Sequence, residues 1–206
     1  MKMRHMLAAA VLLPVLATGC TARARHEARA TPSASPSVSL SPPACATGAI
    51  RWGAAHRKWR LVGLSPVKRL NADAGRTTFR YAPVRTVVAR VEASDARVSG
   101  RRVMALLARH LGLENGELMP PGASTEDHRL RAERTRVHGA GRFLTAEAVL
   151  TLDAGFTLTC AGRTVRGSVT TWQQSFAQDA FRCGTDPGTD AWAREAYERG
   201  CGPLGS

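Results

Sequence analysis

The chain has 206 residues, 44% hydrophobic and 22% charged, with 29 Lys and Arg against 16 Asp and Glu for a formal net charge of +13. These values exclude a collagen-like fibre, a wholly disordered chain and a polytopic membrane protein, and five cysteines are too few for a small disulfide scaffold. The length suits one domain with a real core and leaves little room for a second.

Lys2 and Arg4 precede an uncharged, mostly apolar run of eleven residues, Met6 to Leu16, interrupted by Pro14. A membrane-spanning helix needs about 20 apolar residues, so residues 1–19 are predicted to be a secretory signal. Ala17-Thr18-Gly19-Cys20 resembles the lipobox of bacterial lipoproteins, in which cleavage falls before a diacylglyceryl cysteine. The resemblance implies lipidation at Cys20 and anchorage on the outer face of the cell membrane. Plain secretion, with cleavage after Ala22-Arg23-Ala24, is the alternative. Residues 21–44 hold four Pro, five Ser, two Thr and six Ala. Such a segment cannot bury enough apolar area to offset its ordering entropy, so residues 20–44 read as a lipidated cysteine followed by a tether. Residues 45–206 are expected to form a single domain.

Within that domain, Ile50 to Ala93 reads as strands broken by turn signals: Trp59 to Leu64, Val67 to Leu70 after a bend at Pro66, Thr77 to Tyr81, and Val84 to Val91 after a break at Pro83. Ser99 is a predicted N-cap for a helix to about Leu111, stopped by Gly112, with Val103, Leu106, Leu107, His110 and Leu111 as its apolar stripe. Glu114 to Asp127, with Gly116, Pro120, Pro121 and Gly122, reads as a long surface loop. Strands return at Arg134 to His138, Arg142 to Leu152, Phe156 to Cys160, Thr164 to Trp172 and Phe176 to Cys183. Thr189 would cap a short helix, Asp190 to Arg199, closed by Gly200 and carrying Trp192, Ala193, Ala196 and Tyr197 on one face.

Short connections favour an antiparallel sheet. The predicted class is therefore α+β, a mainly antiparallel sheet with one inserted helix and one short C-terminal helix; a β-sandwich with peripheral helices is the competitor. The Thr157-Leu158-Thr159-Cys160 strand, the Ser168-Val169-Thr170-Thr171-Trp172 strand and the late cysteine pair resemble those of small secreted lipoproteins of actinomycetes. That likeness implies the address and no activity. Export favours disulfides. Cys183 ends a strand and Cys201 follows the last helix, so these two are expected to pair, leaving Cys45 with Cys160. The rival pairing joins Cys160 to Cys183 and Cys45 to Cys201.

Candidate chemistry is sparse. Ser65-Pro66-Val67-Lys68 matches the S-x-x-K signature of penicillin-binding proteins, but its surroundings read as strand and bend, and the S-D-N and K-T-G partners are missing. Glu126, Asp127, His128, Glu133 and His138 have no metal-ligand spacing, and Asp186 and Asp190 are explained by turn and cap formation. His110 is expected as a hydrogen-bonded boundary residue. No cofactor, metal or catalytic group is predicted, although carboxylate pairs that meet only in three dimensions leave a cell-wall-acting hydrolase as the rival reading.

Charge is the feature with functional colour. Residues 51–113 carry 14 Lys and Arg against Asp73, Glu92 and Asp95, whereas residues 114–206 carry 10 against 12 Asp and Glu. Arg51, Trp52, Arg57, Lys58, Trp59 and Arg60 interleave cations with aromatics, so they are the candidate polyanion-binding residues. Outside the membrane the expected partners are anionic wall polymers or lipid headgroups rather than nucleic acid. An arginine-rich composition of 26 Arg against three Lys would also arise from a GC-rich genome without any binding.

Overall fold

The computed structural model describes residues 48–71, 75–114, 116–160 and 162–203; the expected signal and tether, Cys20 and Cys45 lie outside them. In chain order the elements are β1 (Ala49–Leu64), β2 (Lys68–Leu70), β3 (Arg76–Arg80), β4 (Ala82–Pro83), β5 (Arg90–Ala93), α1 (Gly100–His110), α2 (Thr125–His128), β6 (Ala132–Arg136), β7 (Gly141–Cys160), β8 (Arg163–Arg182) and α3 (Ala191–Cys201). All strand pairs are antiparallel. The fold is mostly antiparallel sheet with a few short helices and a Cys183–Cys201 disulfide. One helix more than expected, the single turn α2, is inserted between strand groups.

The frame is a hairpin of two 20-residue strands, β7 and β8, joined at a two-residue connection where Gly162 adopts φ 74°. The four shorter strands expected over 142–183 are thus two long ones. β7 is centred between β1 and β8, in the order β4-β1-β7-β8-β5, with β2 continuing along β7 where β1 stops. β3 and β6 form a separate two-stranded ribbon.

Alternation along β7 explains most of the packing. Leu152, Ala154, Phe156 and Leu158 cluster with Val103, Met104, Leu107 and Ala108 of α1. Leu144, Ala146 and Ala148, of the same parity, cluster with Trp192, Ala193, Ala196 and Tyr197 of α3. Both helices therefore cover one face of β7, α1 towards the hairpin turn and α3 towards the far end. On the other face, Phe143, Thr145, Glu147, Val149 and Thr151 are buried, whereas Asp153, Gly155, Thr157 and Thr159 are half-buried or exposed.

Several sequence expectations are corrected. Val84 to Val91 is not a strand; only Arg90 and Val91 of it join β5, and Val88 makes an isolated bridge to Ser124. The backbone of Val87 and Ala89 is satisfied by the 122–125 segment instead, through the Thr125 N–H to Val87 O and Ala89 N–H to Ala123 O bonds. The 114–127 loop is not all surface. Leu118, Met119 and Thr125 are buried, because Leu118 bridges Gln173 and the Met119 N–H bonds Trp172 O, extending the edge of β8 beyond β5.

Ser99 does cap α1, accepting from the Arg102 N–H, but the buried stripe is Val103, Met104, Leu107 and Ala108. The stripe expected from the sequence is therefore rotated: Leu106 is half-buried and His110 exposed, stacked on Trp52 with centroids 6.0 Å apart. In α3 the N-cap is Asp190 rather than Thr189, and Gly200 lies within the helix, with Gly202 beyond its end. Gly200 instead permits close approach, since a methyl group there would overlap the Leu144 side chain.

Cys183 and Cys201 are bonded with Cα atoms 5.3 Å apart, which excludes the rival Cys160–Cys183 pair. Cys160 is itself disulfide-bonded, and the Cys45 pairing lies outside the described residues.

Candidate functional site

Strand register, rather than sequence proximity, assembles a basic surface. Residues directly opposite in antiparallel strands share a face. His56 of β1 lies opposite Asp153 of β7, which lies opposite Thr170 of β8, which lies opposite Arg90 of β5. The next row is Lys58, Thr151 and Trp172, and another, nearer the hairpin turn, is Arg51, Thr157 and Arg166. Arg60 joins this face by alternation, its Nε donating to Thr151 Oγ1 at 3.2 Å. Thr151 and Trp172 in the middle of these rows are buried, with His128 of α2 edge-on to Trp172 at 6.5 Å, whereas Arg51, His56, Lys58, Arg90 and Arg166 are exposed.

Five permanent cations, Arg51, Lys58, Arg60, Arg90 and Arg166, thus share a face with two carboxylates, Asp153 and Glu92. Arg60 is 3.9 Å from Asp153 and Arg90 is 3.1 Å from Glu92. Arg51, Lys58 and Arg166 are exposed and make no ion pair with a described residue. At one edge a polar hollow of about 230 Å³ is lined by Arg60, Arg85 and Arg90 with Thr86, Thr151, Thr170 and Asp153. The Thr170 hydroxyl donates to Asp153 Oδ1 at 2.9 Å, and Arg85 pairs with Glu195 of α3 at 3.2 Å.

The six residues singled out from the sequence do not share a face. A shift of register between Trp52 and Ala55 reverses the parity of β1, so Arg51, Lys58 and Arg60 fall on the open side and Trp52, Arg57 and Trp59 on the other. Trp52 packs edge-on against Phe156, with centroids 5.7 Å apart, and Trp59 joins the cluster under α3. Arg90 and Arg166 were missed, since only pairing with β7 and β8 brings them beside β1.

The S-x-x-K pair has other work. Ser65 is 2% exposed; its Oγ accepts from the Thr145 N–H at 2.9 Å and donates to Pro66 O, closing the gap between β1 and β2. Lys68 Nζ donates to Thr78 O at 2.6 Å. Among the described residues no three His, Cys, Asp or Glu side chains gather as a metal-binding group. Glu126 is paired with Arg129 at 2.7 Å, and Asp186 Oδ1 accepts from the Gly188 N–H. Among the described residues, no helix is long and apolar enough to cross a membrane.

Two carboxylates, Glu147 and Glu133, do converge. Glu147 of β7 is fully buried; Oε1 accepts from the Leu130 N–H at 3.1 Å and Oε2 has no hydrogen-bond partner among the described residues. Glu133 accepts the Tyr81 hydroxyl hydrogen bond at 2.5 Å. Burial raises the Tyr81 phenol well above its usual range, with the Glu133 hydrogen bond acting in the same direction. Burial likewise raises the Glu147 carboxyl, against the opposing Leu130 hydrogen bond.

A carboxyl raised on folding contributes stability that is present below its unfolded value, near pH 4.3, and lost as pH rises through the folded value. Glu147→Gln keeps the acceptor for Leu130 and removes the charge. Its melting temperature is expected to equal or exceed that of the wild type at pH 7, with the difference vanishing towards pH 4. A wild type that gains on the variant as pH rises would show that Glu147 is held as a carboxylate.

No protein-family model, curated protein or solved structure matches this chain.

Proposed function

We propose that the chain is an exported envelope protein, held on the outer face of a bacterial membrane by lipid on Cys20, whose open basic sheet face binds an anionic wall polymer. The observation that carries the binding reading is the one-sided display of Arg51, Lys58 and Arg166, exposed and without an ion-pair partner among the described residues, on the face of β7 opposite α1 and α3. Side chains of one parity along β1 recur about every 7 Å, and neighbouring strands lie about 5 Å apart. That lattice suits a linear polymer carrying regularly repeated phosphate or carboxylate groups. Thr157 and Thr170, both half-buried, add neutral hydrogen-bonding groups between the cations.

The sheet face differs from a catalytic centre in that its one central carboxylate, Asp153, is engaged by Arg60 and Thr170. Binding is accordingly preferred over hydrolysis. The Ala17-Thr18-Gly19-Cys20 sequence supports the address.

Retention on a column of immobilised polyphosphate tests the binding face. Changing Arg51, Lys58 and Arg166 together to Gln is expected to shift elution to markedly lower salt. The same charge change at Arg57, Arg109 and Arg134 should shift it much less. Association should weaken steeply with salt, because exposed charges are screened over about 8 Å at physiological ionic strength. Equal shifts from both triple variants would reduce the binding to net charge alone.

The address is tested separately. Labelled fatty acid is expected to enter the wild-type chain and not a Cys20→Ala variant, which should appear in the medium. Equal labelling of both would refute lipidation at this position.

A further inference from the structure

A second concavity, sharing no lining residue with the polar hollow, lies on the flank of α1. Between α1 and residues 116–121 runs a cleft of about 460 Å³, a size typical of small-molecule sites. On the helix it is lined by Arg101, Met104, Ala105 and Ala108, which recur at i, i+3, i+4 and i+7 and so form one stripe. That stripe is about 10 Å long at 1.5 Å per residue. The opposite wall is Leu118, Met119, Pro120 and Pro121, and His128 and Gln174 complete the lining.

The lining has a definite polarity. Its middle is aliphatic, with two methionines whose flexible thioethers adapt to a varied apolar guest. Arg101 stands at the N-terminal end of the stripe, is exposed, and has no ion-pair partner among the described residues. Among the described residues no Asp or Glu lines the cleft, and the first turn of α1 contains no acidic residue, so the positive end of the helix adds to the same sign. The walls are set by the fold: Met119 is fixed by its N–H bond to Trp172 O, and the Thr171 hydroxyl donates to Met119 O at 2.9 Å.

The geometry points to a binding site for a single-chain amphiphilic anion, a fatty-acid-type carboxylate whose chain lies along Met104, Ala105 and Ala108 and whose head pairs with Arg101. A cationic amphiphile meets a like charge at the head position. A neutral one gains the apolar wall but no charge pairing with Arg101. A peptide helix would need anchors over a longer groove than two turns of α1 provide. None of the cations of the basic sheet face lines this cleft, so the assignment does not depend on what that face binds.

The test uses the full chain with its disulfides intact, in the Cys20→Ala form so that position 20 carries no acyl group. Dodecanoate, dodecanol and dodecyltrimethylammonium are titrated below their aggregation limits, read by calorimetry and by the methyl resonances of Met104 and Met119. Dodecanoate is expected to bind and shift both methyls, with the cation roughly tenfold weaker or worse. Arg101→Gln should bring dodecanoate down towards the level of dodecanol and change dodecanol far less. Ala105→Phe, at an exposed position, should fill the cleft and abolish binding of all three without loss of melting temperature. Equal affinity for the anion and the cation, unmoved Met104 and Met119 methyls, or binding that survives Ala105→Phe in a folded protein would each overturn the assignment.

Discussion

Leu107→Ala is expected to lower the melting temperature by about 10 °C, whereas His110→Ala should change it by no more than a surface substitution does. Leu107 is fully buried between Val103 and the Leu152–Leu158 side of β7. Truncating such a leucine costs about 2–5 kcal/mol, because the lost transfer energy is joined by that of the cavity left behind. For a domain of this size each kcal/mol moves the melting temperature by roughly 2–4 °C. His110 is exposed, with its ring against Trp52 at 6.0 Å, so its removal should cost less than about 1 kcal/mol. Thermal melts of the two variants decide which side of α1 meets the sheet. Comparable losses would mean that the helix presents the Leu106–His110 side inward after all.

Removing the Cys183–Cys201 bridge is the second large effect. The bond spans 18 residues, and closing a loop of that length contributes about 3 kcal/mol through the unfolded chain, or roughly 9 °C in melting temperature. The double variant Cys183→Ala, Cys201→Ala avoids a stray thiol and isolates this term. What the bridge holds is the docking of α3. Trp192 lies edge-on to Phe181 with centroids 6.1 Å apart, and the Tyr197 hydroxyl accepts from the Gly184 N–H at 2.6 Å. Those contacts keep α3 in place once the chain is folded, so the variant should melt earlier yet reach the same native state. An unchanged melting temperature would show that the bridge constrains nothing the packing does not already fix. Digestion without reduction should release a linked Cys183–Cys201 fragment.

Local chemistry written in single residues was legible in the sequence. Ser99 as an N-cap, the Trp192, Ala193, Ala196 and Tyr197 face of α3 and the Cys183–Cys201 pair all follow from spacing and propensity, which operate over a few residues. The antiparallel character followed from short connections. Tertiary structure decided the rest. The apolar period of α1 allowed two neighbouring stripes, and the surface offered by Leu152 to Leu158 selected the one with Met104 and Ala108. Val84 to Val91 has strand propensity, but β8 receives its edge partner from Arg90–Ala93 and then from the 117–119 segment, so most of the candidate strand has no ladder to join. The basic face shows the same division. Composition placed positive charge in the first half of the domain. Which cations stand together depends on the register shift after Trp52 and on the pairing of β1, β5 and β8 across β7, because a one-residue slip sends every following side chain to the opposite face. That register is set by contacts more than 80 residues apart in sequence, such as Arg60 with Thr151, and no local pattern encodes it.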